Sequence, residues 1–121
     1  MAQTIIPADW QIKRLSGSLG ASVTGPNISH VSEHDLDAIK ALLTEHLVLF
    51  FPDQSPSKDD HIAFGRNFGE LEGHPNLSNN AEYPELFELV ATQGGVADEW
   101  HTDITFRPEP ALMSILHMVK C

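Results

Sequence analysis

The chain has 121 residues, 41% of them hydrophobic, with seven basic and seventeen acidic side chains and a formal charge of -10. That length suits one domain with one core, and the acidic balance disfavours nucleic acid, whose phosphates call for a basic surface. The lone cysteine, Cys121, excludes an intrachain disulfide, and no apolar run approaches the roughly 20 residues of a membrane span. Met1–Pro7 lacks the basic start and apolar stretch of a signal peptide, so a cytoplasmic location, away from membranes, is the expectation.

The alternation around Trp10 and Ile12 predicts a short strand from Trp10 to Leu15. Gly17 and Gly20 mark a turn. Ala21 to Thr24 then reads as the returning strand, stopped by Gly25-Pro26. Ser32-Glu33-His34-Asp35 has the chemistry of a helix start: a hydroxyl to cap an early N–H, and acids at the positive end of the dipole. Leu36, Ile39, Leu42, Leu43 and Leu47 follow at helical spacing, which predicts a helix over 33–46 with one buried face.

Leu47–Phe51 is a continuous apolar run, too short for its own helix, and reads as a strand buried on both faces. Pro52-Asp53-Gln54 ends it. Ser57 with Asp60 repeats the cap pattern, and Ile62, Phe64 and Phe68 define a second helix over about 58–68, stopped by Gly69. Residues 70–85 read as a long polar loop and 86–92 as a strand. Trp100–Phe106 and 111–119 read as two further strands separated by Arg107-Pro108-Glu109-Pro110. His30, His34, His46 and His61 are expected at the surface.

His101 and Asp103 carry the chemistry. Side chains two apart on a strand share a face, so an imidazole nitrogen and a carboxylate oxygen project together, two good donors for a divalent metal. His-X-Asp by itself is a weak signal, and a solvated strand with two polar residues is the better explanation of the tripeptide alone.

The surroundings are more specific. Trp100-His101-Thr102-Asp103-Ile104-Thr105-Phe106 resembles the signature of the TauD/TfdA (taurine dioxygenase) family of Fe(II)- and 2-oxoglutarate-dependent dioxygenases. Leu19–Gly25, the run Leu47–Phe51 with Pro52-Asp53-Gln54, and Phe68-Gly69-Glu70-Leu71 with His74-Pro75 resemble further family segments, in the family's order. The resemblance implies a mixed α/β, mainly β fold. This is a double-stranded β-helix, a jelly roll of the cupin kind, with two N-terminal helices, of which residues 1–121 form the N-terminal, incomplete portion.

It also implies that His101 and Asp103 are iron ligands. His74 matches a histidine that contacts the substrate anion in taurine-type members, the alternative being a loop histidine with a structural hydrogen bond. Ile104 and Phe106 match pocket-lining positions, although either could be plain core, Phe106 more so. Two departures point away from taurine. Leu77 stands where those members carry tyrosine, and Ala97 where they carry asparagine. A larger or more apolar sulfonate, a sulfate ester or an aryloxy acid then becomes the expected substrate.

The partners implied are that small molecule, 2-oxoglutarate and O2, with succinate and CO2 as co-products, and a homo-oligomer is compatible with the sequence. The family's third ligand is a histidine farther downstream, as are its 2-oxoglutarate contacts, so His117 is disfavoured as a ligand. The 121-residue chain alone is expected to be inactive. The competing reading is a truncated, catalytically silent remnant.

Overall fold

The computed structural model describes residues 5–71 and 113–118. The chain forms two compact units, Met1–Asn67 and Phe68–Cys121. In the first, the element order is β1 (Gln11–Arg14), β2 (Ala21–Thr24), α1 (Glu33–His46), β3 (Leu49–Phe50) and α2 (Lys58–Arg66). Three strands make one sheet in the order β1-β2-β3.

The β1–β2 hairpin is antiparallel, with Ile12 opposite Val23 and Arg14 opposite Ala21. Its connection closes where Leu15 N–H donates to Gly20 O (3.0 Å) and the Ser16 hydroxyl donates to Leu19 O (2.6 Å). The two strands differ in depth. All four residues of β1 are exposed, whereas Ala21 and Val23 of β2 are fully buried, so β2 forms the core strand. Past β2 the chain passes Trp10 so closely that a Cβ on Gly25 would lie 2.6 Å from Trp10 Cδ1, at a φ of +133°. Only glycine suits that position.

Helix α1 spans the residues the sequence predicts. Ser32 Oγ accepts from Asp35 N–H (3.1 Å) and Asp35 Oδ2 accepts from Ser32 N–H (3.3 Å), a reciprocal capping box. Ala38, Ile39, Leu42 and His46 form its buried face. The helix carries the chain back so that β3 lies parallel to β2, Ala21 against Leu49 and Ser22 against Phe50, the usual crossover for parallel neighbours.

The apolar run after α1 departs from expectation. The strand is only Leu49–Phe50, and it is not buried on both faces: Leu47 is 63% exposed and Phe50 54%. The cause is the helix end. Leu47 serves as the C-cap at φ 69°, its N–H donating to Leu43 O (2.8 Å), so the run's first residue belongs to the helix terminus. Val48 then gives its carbonyl to Ala21 N–H (3.0 Å) before the strand begins.

Helix α2 repeats the capping box with Ser57 and Asp60. It stops at Arg66, short of the predicted 68. The Asn67 side-chain amide donates to Ala63 O (3.0 Å) and Phe64 O (3.3 Å), satisfying carbonyls of the last turn. Ile62 and Phe64 are its buried apolar residues.

In the second unit the described residues are 68–71 and 113–118. Met113–Met118 alternate between half-buried and exposed as a strand would, but form no regular element. A strand is defined by a paired ladder, and these residues are in none. The predicted loop over 70–85, apart from Glu70 and Leu71, and the strands at 86–92 and 100–106 lie outside the described residues. Among the described residues, helices of 14 and 9 residues outweigh strands of 4, 4 and 2. No helix there is long and apolar enough to cross a membrane.

Candidate functional site

His101 and Asp103, with His74, Ile104 and Phe106, lie outside the described residues, so their geometry is not part of the structural account. Among the described residues no group of three or more His, Cys, Asp or Glu side chains could hold a metal ion. His117 is half-buried.

The other histidines separate by environment. His30 and His34 are exposed, as expected, while His61 is half-buried. His46 is not a surface residue. It is 4% exposed, with Nε2 3.7 Å from Glu45 Oε2, and Glu45 Oε1 accepts from Arg14 Nη2 at 3.0 Å. The signal for its burial was available in the spacing. His46 falls seven residues after Ile39 and four after Leu42, on the face the apolar residues mark. The Arg14–Glu45 pair is exposed on both sides and adds little stability, but it ties β1 to α1.

Among the described residues, a cavity with a polar lining lies between two loops of the first unit. The loop leaving β2 supplies Asn27, Ser29 and His30, and the segment entering α2 supplies Gln54, Ser55 and Asp60 around a volume of about 510 Å³. Asp60 joins the two sides. Its carboxyl is held below the ordinary aspartate value, first by the Ser57 backbone N–H and then by the Ser57 hydroxyl. The Ser29 hydroxyl and the charge of His30 act in the same direction, against a partial loss of hydration.

Gln54 joins them as well. Its Oε1 accepts from Ile28 N–H at 3.0 Å and its Nε2 donates to Pro26 O at 2.9 Å. Asp53, just before it, adopts φ 58° and turns the chain toward the loop. No motif reading singled out Ser29, His30 or Asp60 as neighbours, because their contact spans the sequence between two loops.

The comparisons with known proteins fall on this framework. The sequence model of the family described as taurine catabolism dioxygenase TauD, TfdA matches residues 11–121. An alkylsulfatase of Acinetobacter baylyi is 34% identical over 110 residues, covering 88% of this chain and 34% of the relative. An alpha-ketoglutarate-dependent sulfate ester dioxygenase of Pseudomonas putida is 33% identical over 107 residues, covering 87% of this chain and 36% of the relative. Among solved structures, a taurine dioxygenase from Burkholderia xenovorans superposes with a TM-score of 0.68 at 31% identity, over 79% of this chain and 35% of that one. The chain thus spans about a third of the length of these relatives. With a family match over almost all of its length, the chain belongs to the TauD/TfdA family.

Proposed function

We propose that this chain is the N-terminal part of a single-domain Fe(II)- and 2-oxoglutarate-dependent dioxygenase of double-stranded β-helix fold. Its substrate would be a small organic acid such as a sulfonate, sulfate ester or aryloxy acid. The observation that carries the reading is the 33% identity to an alpha-ketoglutarate-dependent sulfate ester dioxygenase, over 87% of this chain. The overall change is balanced: substrate, 2-oxoglutarate and O2 give hydroxylated substrate, succinate and CO2. Hydroxylation at a carbon bearing sulfur or oxygen lets that group leave.

His101 and Asp103 are the residues of this chain that would hold the metal. One neutral imidazole and one carboxylate, two residues apart, are a donor set that suits Fe(II). Bound iron would supply the redox chemistry that couples 2-oxoglutarate decarboxylation to hydroxylation. The chain's own part is binding and exclusion. The imidazole of His74 would donate a hydrogen bond to the substrate's anionic group. Ile104 and Phe106 would give apolar walls that keep water out and hold the reacting carbon in place. Leu77 and Ala97, which offer no side-chain hydrogen bond, favour a larger, less polar acid over taurine. The sequence features behind this reading suit an enzyme of the cytoplasm.

The test is succinate release by the full-length gene product with added Fe(II) and 2-oxoglutarate, across sulfonates, sulfate esters and aryloxy acids. Substrate-dependent succinate is expected with at least one class, falling to background in His101→Ala and in Asp103→Ala. No succinate above background with any of them would overturn the proposal and leave the inactive remnant as the better reading.

A further inference from the structure

The Pro52-Asp53-Gln54 segment ends the apolar run. Its surroundings give it a definite task. Strands β2 and β3 pair in parallel, Ala21 with Leu49 and Ser22 with Phe50. Both strands stop well short of the next contact between these segments, β2 at Thr24 and β3 at Phe50. Backbone pairing cannot continue that far, because the chain turns at Asp53, where φ is 58°.

The Gln54 side chain takes over. In a parallel ladder a residue donates its N–H to the carbonyl just before its partner and accepts from the N–H just after it. The Gln54 carboxamide makes that pattern around Asn27: Nε2 donates to Pro26 O at 2.9 Å, and Oε1 accepts from Ile28 N–H at 3.0 Å. The primary amide has the same donor and acceptor set as a peptide unit. It therefore satisfies two main-chain groups beside buried Pro26 and Ile28 that the ended strand can no longer reach.

We propose that Gln54 is a surrogate peptide that binds the 26–28 loop with the hydrogen-bond pattern of a parallel rung and so fixes the spacing between the two walls of the polar cavity. Both parts of the device are local. Asp53 tolerates the left-handed turn, as aspartate does more readily than most residues. Gln54 has the reach that a shorter amide lacks. The loop it holds carries Asn27, Ser29 and His30, and the opposite wall carries Ser55 and Asp60. Without the rung, the burial of Ile28 still holds the loop.

The experiment is residue-resolved amide hydrogen exchange on the protein and on two variants, Gln54→Met and Gln54→Asn. Methionine keeps the length and removes both hydrogen-bonding groups. Asparagine keeps the amide and removes one methylene of reach. In each, exchange at the Ile28 amide should rise by about tenfold or more, the scale of losing one buried hydrogen bond. The amides of Leu42 and Leu43 in α1 should stay as protected as before. Wild-type protection at Ile28 in either variant overturns the proposal. So does a rise shared equally by Ile28 and the α1 amides in both variants, which would make Gln54 a general stabiliser.

Discussion

Leu47 holds a backbone conformation that its side chain does not favour. At φ 69° and ψ -33° it closes α1, and its side chain is 63% exposed. A left-handed φ costs a residue with a Cβ about 1–2 kcal/mol, and little burial offsets it here. Glycine would remove that cost but brings its own entropic loss on folding, about 0.5–1 kcal/mol. The balance favours glycine, so Leu47→Gly should stabilise the protein by roughly 0.5–1 kcal/mol. Urea denaturation checks this through a higher midpoint at unchanged slope. A lower midpoint would mean that the leucine side chain contributes packing that its exposure conceals. The opposite case is Gly25, where φ +133° and the closeness of Trp10 leave no room for a side chain.

Among the elements, the span of α1 was legible and that of β3 was not, for a physical reason. A helix of 14 residues declares itself through its cap and its repeated apolar spacing, both local properties. The stretch 47–51 has only composition to show. Five apolar residues fit a buried strand, but nothing local says that the first of them is needed to end the preceding helix. The candidate site divides in a similar way. The pair proposed for the metal, His101 and Asp103, was singled out because Trp100–Phe106 is a specific pattern, and it lies outside the described residues. Gln54 was not, because its partners Ile28 and Pro26 lie 26 and 28 residues away and no local pattern joins the two loops.

Helix α2 was legible through its cap, and that cap makes its stability depend on pH. Asp60 Oδ2 accepts from Ser57 N–H at 3.1 Å, and Ser57 Oγ accepts from Asp60 N–H at 3.0 Å. The folded environment holds the Asp60 carboxyl below its ordinary value. A depressed carboxylate contributes stability that is present above the unfolded-state pKa, about 3.9, and is lost as pH falls through the lower folded value. Wild type should therefore exceed Asp60→Asn in stability at neutral pH, and the two should converge at strongly acid pH. Denaturation curves at several pH values test this. A difference that stays constant across the range would show that the charge on Asp60 is not what stabilises the cap. Ser57→Ala should cost about 1 kcal/mol at neutral pH, the usual loss for a helix cap.

At the scale of the whole molecule two effects oppose each other. Leu47, Val48 and Phe50 in the first unit, and Leu116 and Met118 in the second, are between 41% and 84% exposed. The relatives are about three times as long as the part that this chain matches. Exposed apolar side chains of this kind favour self-association. The charge of -10 on 121 residues opposes it by mutual repulsion. Repulsion acts over the Debye length, about 10 Å at 0.1 M salt and about 3 Å at 1 M, whereas apolar contact does not weaken with salt. The apolar term should therefore win as salt is added. Light scattering by the 121-residue chain should rise with ionic strength, with a matching rise in binding of an apolar dye. Phe50→Lys, on the 54% exposed position of β3, should reduce both, while the helical circular dichroism of α1 and α2 stays unchanged. Scattering that falls with salt, or that Phe50→Lys leaves unaltered, would mean that this surface does not drive the association.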